Sequence, residues 1–133
     1  MRKQFRKICL FGMALATFGS ASCGTDDFAF GDVEGVVEWN SQPLPNILVQ
    51  FHPEPSRETK AAPSSEGVTD ETGHYRLRCP QQKRDGVVVG LHRVVLIDVK
   101  GTRLPVEYAS TSQTKLRVTV QKGSQVIDLK LPK

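Results

Sequence analysis

Aromatic side chains that carry a polar group are scarce in this sequence. Its 133 residues include one tryptophan and two tyrosines. Trp39 and Tyr75 fall on the apolar side of alternating patterns, so only Tyr108 remains as a candidate surface for stacking against a sugar. This shortage counts against a carbohydrate- or peptide-binding module, although exposed loops or a sheet edge are alternative ways to build one.

Motifs for catalysis or metal binding are also missing. The three histidines, His52, His74 and His92, do not have the close spacing of common zinc ligands. No serine lies in a G-x-S-x-G turn, and no carboxylates are paired for acid/base chemistry. We therefore expect no catalytic residues, no metal site and no cofactor, and a small metal-dependent hydrolase is the least favoured function. His52 is expected in solvent and His92 partly buried at a strand entrance.

An excess of positive charge is confined to the start of the chain. Four basic residues lie within positions 1–7, followed by an apolar run at 8–18 and small residues at 19–22. This order is typical of a signal peptide, and the run is short for a membrane-spanning helix. Cleavage would remove four of the eighteen Lys and Arg and none of the fourteen Asp and Glu. The resulting neutral chain does not favour nucleic acid as a partner.

Cys23 directly follows the small residues Ser20, Ala21 and Ser22. A cysteine at the first mature position resembles the lipobox of bacterial lipoproteins, which implies acylation of Cys23 and attachment to a membrane. Ser20 stands where the lipobox usually has leucine, so cleavage by ordinary signal peptidase, releasing a soluble protein, stays open. Both alternatives predict export from the cytosol.

Two cysteines remain after cleavage, Cys23 and Cys79, and in an oxidising compartment they could pair. Cys79 alternates with Tyr75 and Leu77, which predicts an inward position in a strand. A cysteine in such a position behaves as a small apolar side chain. We expect Cys79 to be buried and unpaired.

Apolar residues recur with a period of two throughout the rest of the chain, and no segment keeps helical spacing for three turns. Turn-forming residues separate the alternating segments at 40–43, 70–73, 81–86 and 121–124. This predicts an all-β fold, an antiparallel Greek-key β-sandwich of about seven strands. The residues expected inside are Val37, Trp39, Val49, Phe51, Tyr75, Leu77, Val94, Leu96, Val118 and Leu129.

The segment "VTDETGHYRL", residues 68–77, brings two carboxylates and a histidine close together. A calcium loop needs further oxygen ligands at alternating positions, which this segment does not offer. Asp70 and Gly73 instead suit a four-residue turn, with Asp70 capping the bend and Gly73 supplying an unusual backbone conformation. We interpret the segment as a bend.

The order of these features resembles that of carboxypeptidase regulatory-like domains, which are small transthyretin-like sandwiches of bacterial envelope proteins. The matching positions are Val33, Gly35, Val37, Pro43, Leu44, Phe51, Pro53, Thr69, Asp70, Gly73, Tyr75, Gly90, His92 and Val94, where His92 replaces the usual tyrosine. The resemblance implies a non-catalytic module, because its motifs are turn and core positions.

Together these observations predict three segments: a signal peptide at 1–22, a polar tether at 23–31 and a sandwich domain at 32–133. The expected function is a non-catalytic, exported module of the cell envelope, with a structural or interaction role. The expected partners are the membrane, through the lipid on Cys23, and an envelope protein or polysaccharide.

Overall fold

The computed structural model describes residues 28–55, 61–101 and 103–132. These residues form two facing β-sheets with a shared apolar core, so the predicted all-β sandwich is confirmed. None of them belongs to a helix with the length and apolar character needed to cross a membrane.

Twelve strands, several of them very short, follow one another along the described residues. In chain order they are β1 Phe30–Trp39, β2 Gln42–Pro43, β3 Ile47–Pro53, β4 Ser65–Val68, β5 His74–Arg76, β6 Arg78–Cys79, β7 Arg84–Asp85, β8 Val87–Val88, β9 Gly90–Asp98, β10 Arg117–Val120, β11 Gly123–Val126 and β12 Leu129–Leu131. Two short 3₁₀ helices, Pro80–Gln82 and Val106–Ala109, lie between them.

The first sheet is organised around β1. One edge of β1 pairs in parallel with β11 and then with β12, and the other edge pairs antiparallel with β8, β5 and β2. Gly31, for example, lies opposite Gly123 on one side and Val87 on the other. The alternation of apolar residues predicted β1 and β12 here. It did not predict the parallel pairing, nor β2 and β11, which overlap the predicted turns at 40–43 and 121–124.

The second sheet has the order β10-β9-β3-β4-β6-β7, and all its pairs are antiparallel. β9 lies between β10 and β3, and its run of apolar residues at 94–97 suits a strand covered on both faces. Val94, Val95 and Leu96 are all buried, although successive residues point to opposite faces.

The core between the sheets contains most of the residues expected there. Trp39 and Val118 were predicted to be inside but are only partly buried. Trp39 ends β1, where β2 and β12 are too short to cover the indole, and Val118 lies in the edge strand β10. The fully buried part of the prediction comprises Val37, Val49, Phe51, Tyr75, Leu77, Val94, Leu96 and Leu129.

Between β11 and β12 the backbone ladder with β1 is interrupted, and one backbone hydrogen bond and two side chains close the gap. The Val36 amide donates to Oδ1 of Asp128 at 3.0 Å, and the Ile127 amide donates to the Glu34 carbonyl at 2.8 Å. The Tyr75 hydroxyl donates to the Ile127 carbonyl. Gly35 makes room for that contact, because a Cβ there would lie 2.0 Å from the Ile127 oxygen and 3.1 Å from the Tyr75 hydroxyl.

Candidate functional site

The turn after β4 is held by the Asp70 side chain. Its Oδ1 accepts hydrogen bonds from the Thr72 amide at 2.8 Å, the Thr72 hydroxyl at 2.7 Å and the His74 amide at 3.1 Å. Gly73 has a φ of 75°, in the left-handed region that glycine favours. The hydrogen bonds from Thr72 lower the pKa of Asp70. The prediction of a capped bend is confirmed.

His74, directly after this turn, bridges two carboxylates. Its Nε2 lies 3.4 Å from Glu34 on β1, and its Nδ1 lies 3.9 Å from Asp70. Across the part of the chain that the structure describes, no group of three or more His, Cys, Asp or Glu side chains is placed to hold a metal ion. The two contacts of His74 link the Asp70 turn to Glu34 on β1 of the first sheet.

Next to Glu34, the outer face of the first sheet contains a groove of about 310 Å³ with both polar and apolar lining. β1 forms its floor, because Asp32 and Glu34 alternate with inward residues and both point outward. β5 and β11 form its walls on either side of β1. The lining residues are Asp32, Val33, Glu34, Arg76, Ser124, Gln125 and Val126.

The groove combines hydrogen-bond acceptors and donors on an exposed surface. The carboxylates of Asp32 and Glu34 are acceptors, and the guanidinium of Arg76 and hydroxyl of Ser124 are donors. The Gln125 amide is already bonded to the backbone of Gln121, at 2.6 Å through Nε2. Such a surface suits a ligand with several hydroxyl or amide groups. The groove depends on the parallel pairing of β1 with β11, which the sequence pattern does not reveal.

The three histidines lie in three separate parts of the domain, and only His52 and His74 reach the surface. His74 is on the outer face of the first sheet, whereas half-buried His52 is on the second and bonds Gln50 at 3.2 Å. Burial lowers the pKa of His52, against the opposing effect of nearby Glu66. His52 was expected in solvent and is only partly exposed, since it pairs with Arg93 on β9 and its ring lies beside Gln50.

His92 lies inside the sandwich, more deeply than expected. It is fully buried, beside Phe51, with ring centroids 5.8 Å apart. Its Nε2 contacts the Val88 carbonyl at 2.6 Å, while Nδ1 has no partner among the described residues. Burial is the main cause that lowers the pKa of His92.

A second polar cluster joins Glu54 to two arginines. The Nε atoms of Arg93 and Arg117 lie 2.9 Å and 2.8 Å from the same Glu54 oxygen. Arg93 also donates to the Thr111 carbonyl at 3.1 Å, and Arg117 donates to the Thr114 carbonyl at 2.8 Å. The hydrogen bond from Arg93 is the largest of the causes that lower the pKa of Glu54. The cluster ties the 110–114 segment to the second sheet.

Two expectations about single residues have different outcomes. Cys79 is free and buried, as predicted. Tyr108, the remaining candidate for a stacking surface, is instead buried, with a relative exposure of 9%, and belongs to the core cluster. The 3₁₀ helix Val106–Ala109, which the sequence pattern did not reveal, turns its ring inward. Cys23, the predicted lipidation site, lies outside the described residues.

Comparisons with known proteins give structural similarity only. No model of a protein family matches this chain, and no curated protein matches it significantly. A DUF3823 family protein from Parabacteroides merdae has a similar structure, with a TM-score of 0.47 and 14% identity over 78% of this chain and 46% of the other.

Two dioxygenase structures are also similar. Catechol 1,2-dioxygenase from an Acinetobacter species, inhibited by bound mercury, has a TM-score of 0.40 and 16% identity, covering 80% of this chain and 54% of its own. Chlorocatechol 1,2-dioxygenase from Pseudomonas putida has a TM-score of 0.39 and 15% identity, covering 80% and 60%. This chain thus spans about half the length of each similar structure, and no family is assigned to it.

Proposed function

We propose that this protein is a non-catalytic β-sandwich module of the bacterial cell envelope, exported and attached to a membrane by acyl chains on Cys23. The observation that carries this proposal is the cysteine directly after a signal-peptide cleavage zone. The resemblance of its turn and core positions to carboxypeptidase regulatory-like domains supports a structural or interaction role. The partner would be an envelope protein or polysaccharide.

The described ionisable side chains support a non-catalytic role, because many of them stabilise the fold. Asp70 caps a turn, and Glu54 holds two arginines. Asp98 binds Arg103 at 2.6 Å, and the same arginine donates to the Pro45 carbonyl at 2.7 Å. These contacts fix loops and strand ends and direct the carboxylates to neighbouring protein groups.

Mass spectrometry of the N-terminus of the protein purified from membranes tests the anchoring. We expect an acylated Cys23 as the first residue and recovery in the membrane fraction. The Cys23→Ser variant should be found in the soluble exported fraction. An unmodified thiol on a soluble wild-type protein would refute the anchoring. Stable attachment needs more than one acyl chain, so a singly acylated form should dissociate readily.

The groove on the first sheet supports a second candidate, a carbohydrate- or peptide-binding module. Saturable binding of an envelope saccharide or peptide by calorimetry would support it. Arg76→Gln and Ser124→Val should then weaken binding, while Lys130→Gln on β12, outside the groove, should not. Equal binding by all three variants and the wild type would exclude the groove as the site.

A further inference from the structure

The edge strands of the two sheets differ in how well they are protected from pairing with another chain. In the second sheet, edge strand β10 contains Arg117, and edge strand β7 is Arg84–Asp85. In the first sheet, β12 contains Lys130 and is followed by Pro132. Charged residues and proline at an edge hinder pairing with a further strand. β11, with the sequence GSQV, has neither.

The main-chain groups of β11 point alternately toward β1 and toward the open side of the sheet. β11 runs parallel to β1, and directly after it the Ile127 amide donates to the Glu34 carbonyl at 2.8 Å. By the same alternation Gln125 bonds to β1, while Ser124 and Val126 direct their N–H and C=O groups away from β1. Among the described residues, β11 pairs with no strand other than β1. Ser124 and Val126 therefore form an open edge.

The side chains along this edge leave it accessible. Ser124 is exposed, and Val126 is 66% exposed. A Cβ added at Gly123 would meet no atom within 4 Å beyond its chain neighbours. The Gln125 side chain folds back, because its Nε2 donates to the Gln121 carbonyl at 2.6 Å and its Oε1 accepts from the Gln121 amide at 3.2 Å. It supports the turn between β10 and β11 and does not cover the edge.

A second copy of the same strand fits this edge by two-fold symmetry. If two β11 strands pair antiparallel about Gln125, Ser124 of each copy lies opposite Val126 of the other. Each of these two pairs can exchange two backbone hydrogen bonds. The two Val126 side chains become diagonal neighbours on the outer face, where each is otherwise exposed to water. The same patch on both copies thus satisfies the open edge of each, as in an isologous dimer.

Charge selects this register over its neighbour. Pairing about Gln125 places Lys122 of each copy opposite Asp128 of the other, so two ion pairs form. Oδ1 of Asp128 accepts from the Val36 amide at 3.0 Å, which fixes the carboxylate, and its second oxygen can accept from the lysine. A register shifted by two residues would bring Lys122 opposite Lys130 and repel.

The other carboxylates beside β11 stay apart in this register. Asp32 lies next to Ser124, and Glu34 lies next to Val126. Asp32 of one copy and Glu34 of the other are then three strand spacings apart, which is about 14 Å. Charges at the surface are largely screened beyond about 8–10 Å at physiological salt. Repulsion between these groups therefore does not oppose the pairing.

We propose that this protein forms a symmetric dimer in which β11 strands of two copies pair antiparallel and join the two first sheets into one. Only one short strand of each copy pairs, so we expect a weak, concentration-dependent dimer. The dimer does not require acylation of Cys23. Because the paired strands run in opposite directions, the two chains enter the dimer at opposite ends. A dimer acylated on both copies would lie with its strands along the membrane.

Sedimentation equilibrium of the exported Cys23→Ser protein, which has no acyl chains, tests the association. Between about 10 µM and 1 mM the average mass should rise from that of a monomer toward that of a dimer. Val126→Pro should abolish the rise, because it removes an outward N–H group while sparing the bonds of β11 to β1. A wild type that stays monomeric throughout, or a folded Val126→Pro variant that still dimerises, would overturn the proposal.

Lys122→Glu tests the register with a matched control. It replaces two attractions with two repulsions and should weaken association about tenfold. Lys83→Glu makes the same change of charge in the turn between β6 and β7 and should leave association unchanged. Equal association of the two variants would show that Lys122 does not face Asp128, and the register would be refuted.

Cysteine cross-linking keeps the test decisive if Val126→Pro does not fold. In the Cys23→Ser background the remaining Cys79 is buried. Ser124→Cys and Val126→Cys proteins, mixed and oxidised, should form a mixed disulfide, since opposite residues have Cα atoms about 5.5 Å apart. Val68→Cys, 53% exposed on β4 of the second sheet, replaces Val126→Cys as the control and should give severalfold less. Equal yields from both mixtures, or no mixed disulfide, would contradict pairing through β11.

Discussion

The two sheets of this sandwich cover the same core but differ in how their strands pair. In the second sheet β3 and β9 pair over seven residues, from Ile47 opposite Asp98 to Pro53 opposite His92. In the first sheet every pairing involves β1, and each of its partners pairs over two to four residues. The second sheet is therefore centred on one long two-strand ladder, and the first is one long strand bordered by short ones.

This difference explains where side chains supplement backbone hydrogen bonds between strands. The gap between β11 and β12 is closed by the Asp128 carboxylate, the Ile127 amide and the Tyr75 hydroxyl. The ladder of β3 and β9 continues through its whole length without such help. Substitutions near Gly35 should consequently have larger effects than equally conservative changes at exposed loop positions.

The largest effect should come from Gly35→Ala. A methyl group there would lie 2.0 Å from the Ile127 carbonyl oxygen, so β1 and the β11–β12 junction must move apart. Overpacking of this kind costs up to about 3 kcal/mol in free energy of unfolding. Urea denaturation would measure the loss, with the slope against urea concentration showing whether the unfolding remains two-state.

Gly101→Ala is the matched control for Gly35→Ala. In this loop the nearest atom to an added Cβ is Oδ2 of Asp98 at 3.7 Å, which is ordinary contact. The free energy of unfolding of this variant should differ from that of the wild type by no more than about 0.5 kcal/mol. If the two alanine variants were equally stable, the first sheet would not depend on the close approach at Gly35.

Sequence alone predicted the second sheet better, because hairpins and alternation are local signals. Alternation in the segment 127–131 puts Ile127, Leu129 and Leu131 on one face, and in the structure Leu129 and Leu131 are buried and Ile127 is partly buried. It did not predict the parallel partner, since Val37 lies about ninety residues before Leu129. Parallel pairing leaves no turn in the sequence to reveal it.

The candidate site likewise contains parts that local sequence predicts and parts that depend on distant strand pairing. The bend at Asp70 was predictable because a turn is set by neighbouring residues. The groove was not, because Asp32 and Ser124 meet only through the pairing of β1 with β11. Tyr108 was misjudged because a four-residue 3₁₀ helix carries too short a pattern to show which side chain turns inward.

Gly73→Ala tests the turn that leads from the second sheet to the first. Its φ of 75° is unfavourable for alanine, and a Cβ would lie 2.9 Å from both Pro43 Cβ and the Val37 carbonyl oxygen. The expected loss is about 2 kcal/mol in thermal or urea unfolding. Asp70→Ala should cost less, because it removes only the cap.

Glu71→Ala in the same turn is the control, with an expected change within about 0.5 kcal/mol. Melting the wild type with chelator, calcium or zinc adds a second arm. We expect no rise in melting temperature with either metal. A rise of several degrees that Asp70→Ala abolishes would show that the turn binds metal.

His92 lies where the chain passes from β8 in the first sheet to β9 in the second, and it should make stability depend on pH. Burial lowers its pKa in the folded protein, whereas the unfolded chain has a value of about 6.5. Below about pH 6.5 the unfolded state thus binds a proton that the folded state does not. The free energy of unfolding should therefore decrease as the pH is lowered below about 6.5, with a slope approaching about 1.4 kcal/mol per pH unit.

Urea titrations between about pH 5 and 7.5 would measure this slope, above the range where Asp and Glu titrate. His92→Leu should flatten it, although losing the bond to Val88 lowers stability at every pH. His52→Gln should retain most of the slope, because His52 is only half-buried. An unchanged slope in His92→Leu would assign the pH dependence to other groups.

The smallest expected effect comes from Tyr75→Phe, which removes a single hydroxyl from the junction beside Gly35. The ring should stay buried, and the loss of its hydrogen bond to the Ile127 carbonyl should cost about 1 kcal/mol. Ser112→Ala is the control. It removes an exposed hydroxyl bonded to Ser110 at 2.9 Å and should lower the free energy of unfolding by less than about 0.5 kcal/mol.

Burial also raises the pKa of Tyr75. Above about pH 10 the unfolded tyrosine loses a proton that the folded one retains, so wild-type stability should decline there. Tyr75→Phe should decline less over the same range. If both proteins lost stability in parallel, the hydroxyl would not be shielded from solvent, and side-chain closure of the first sheet would rest on Asp128 alone.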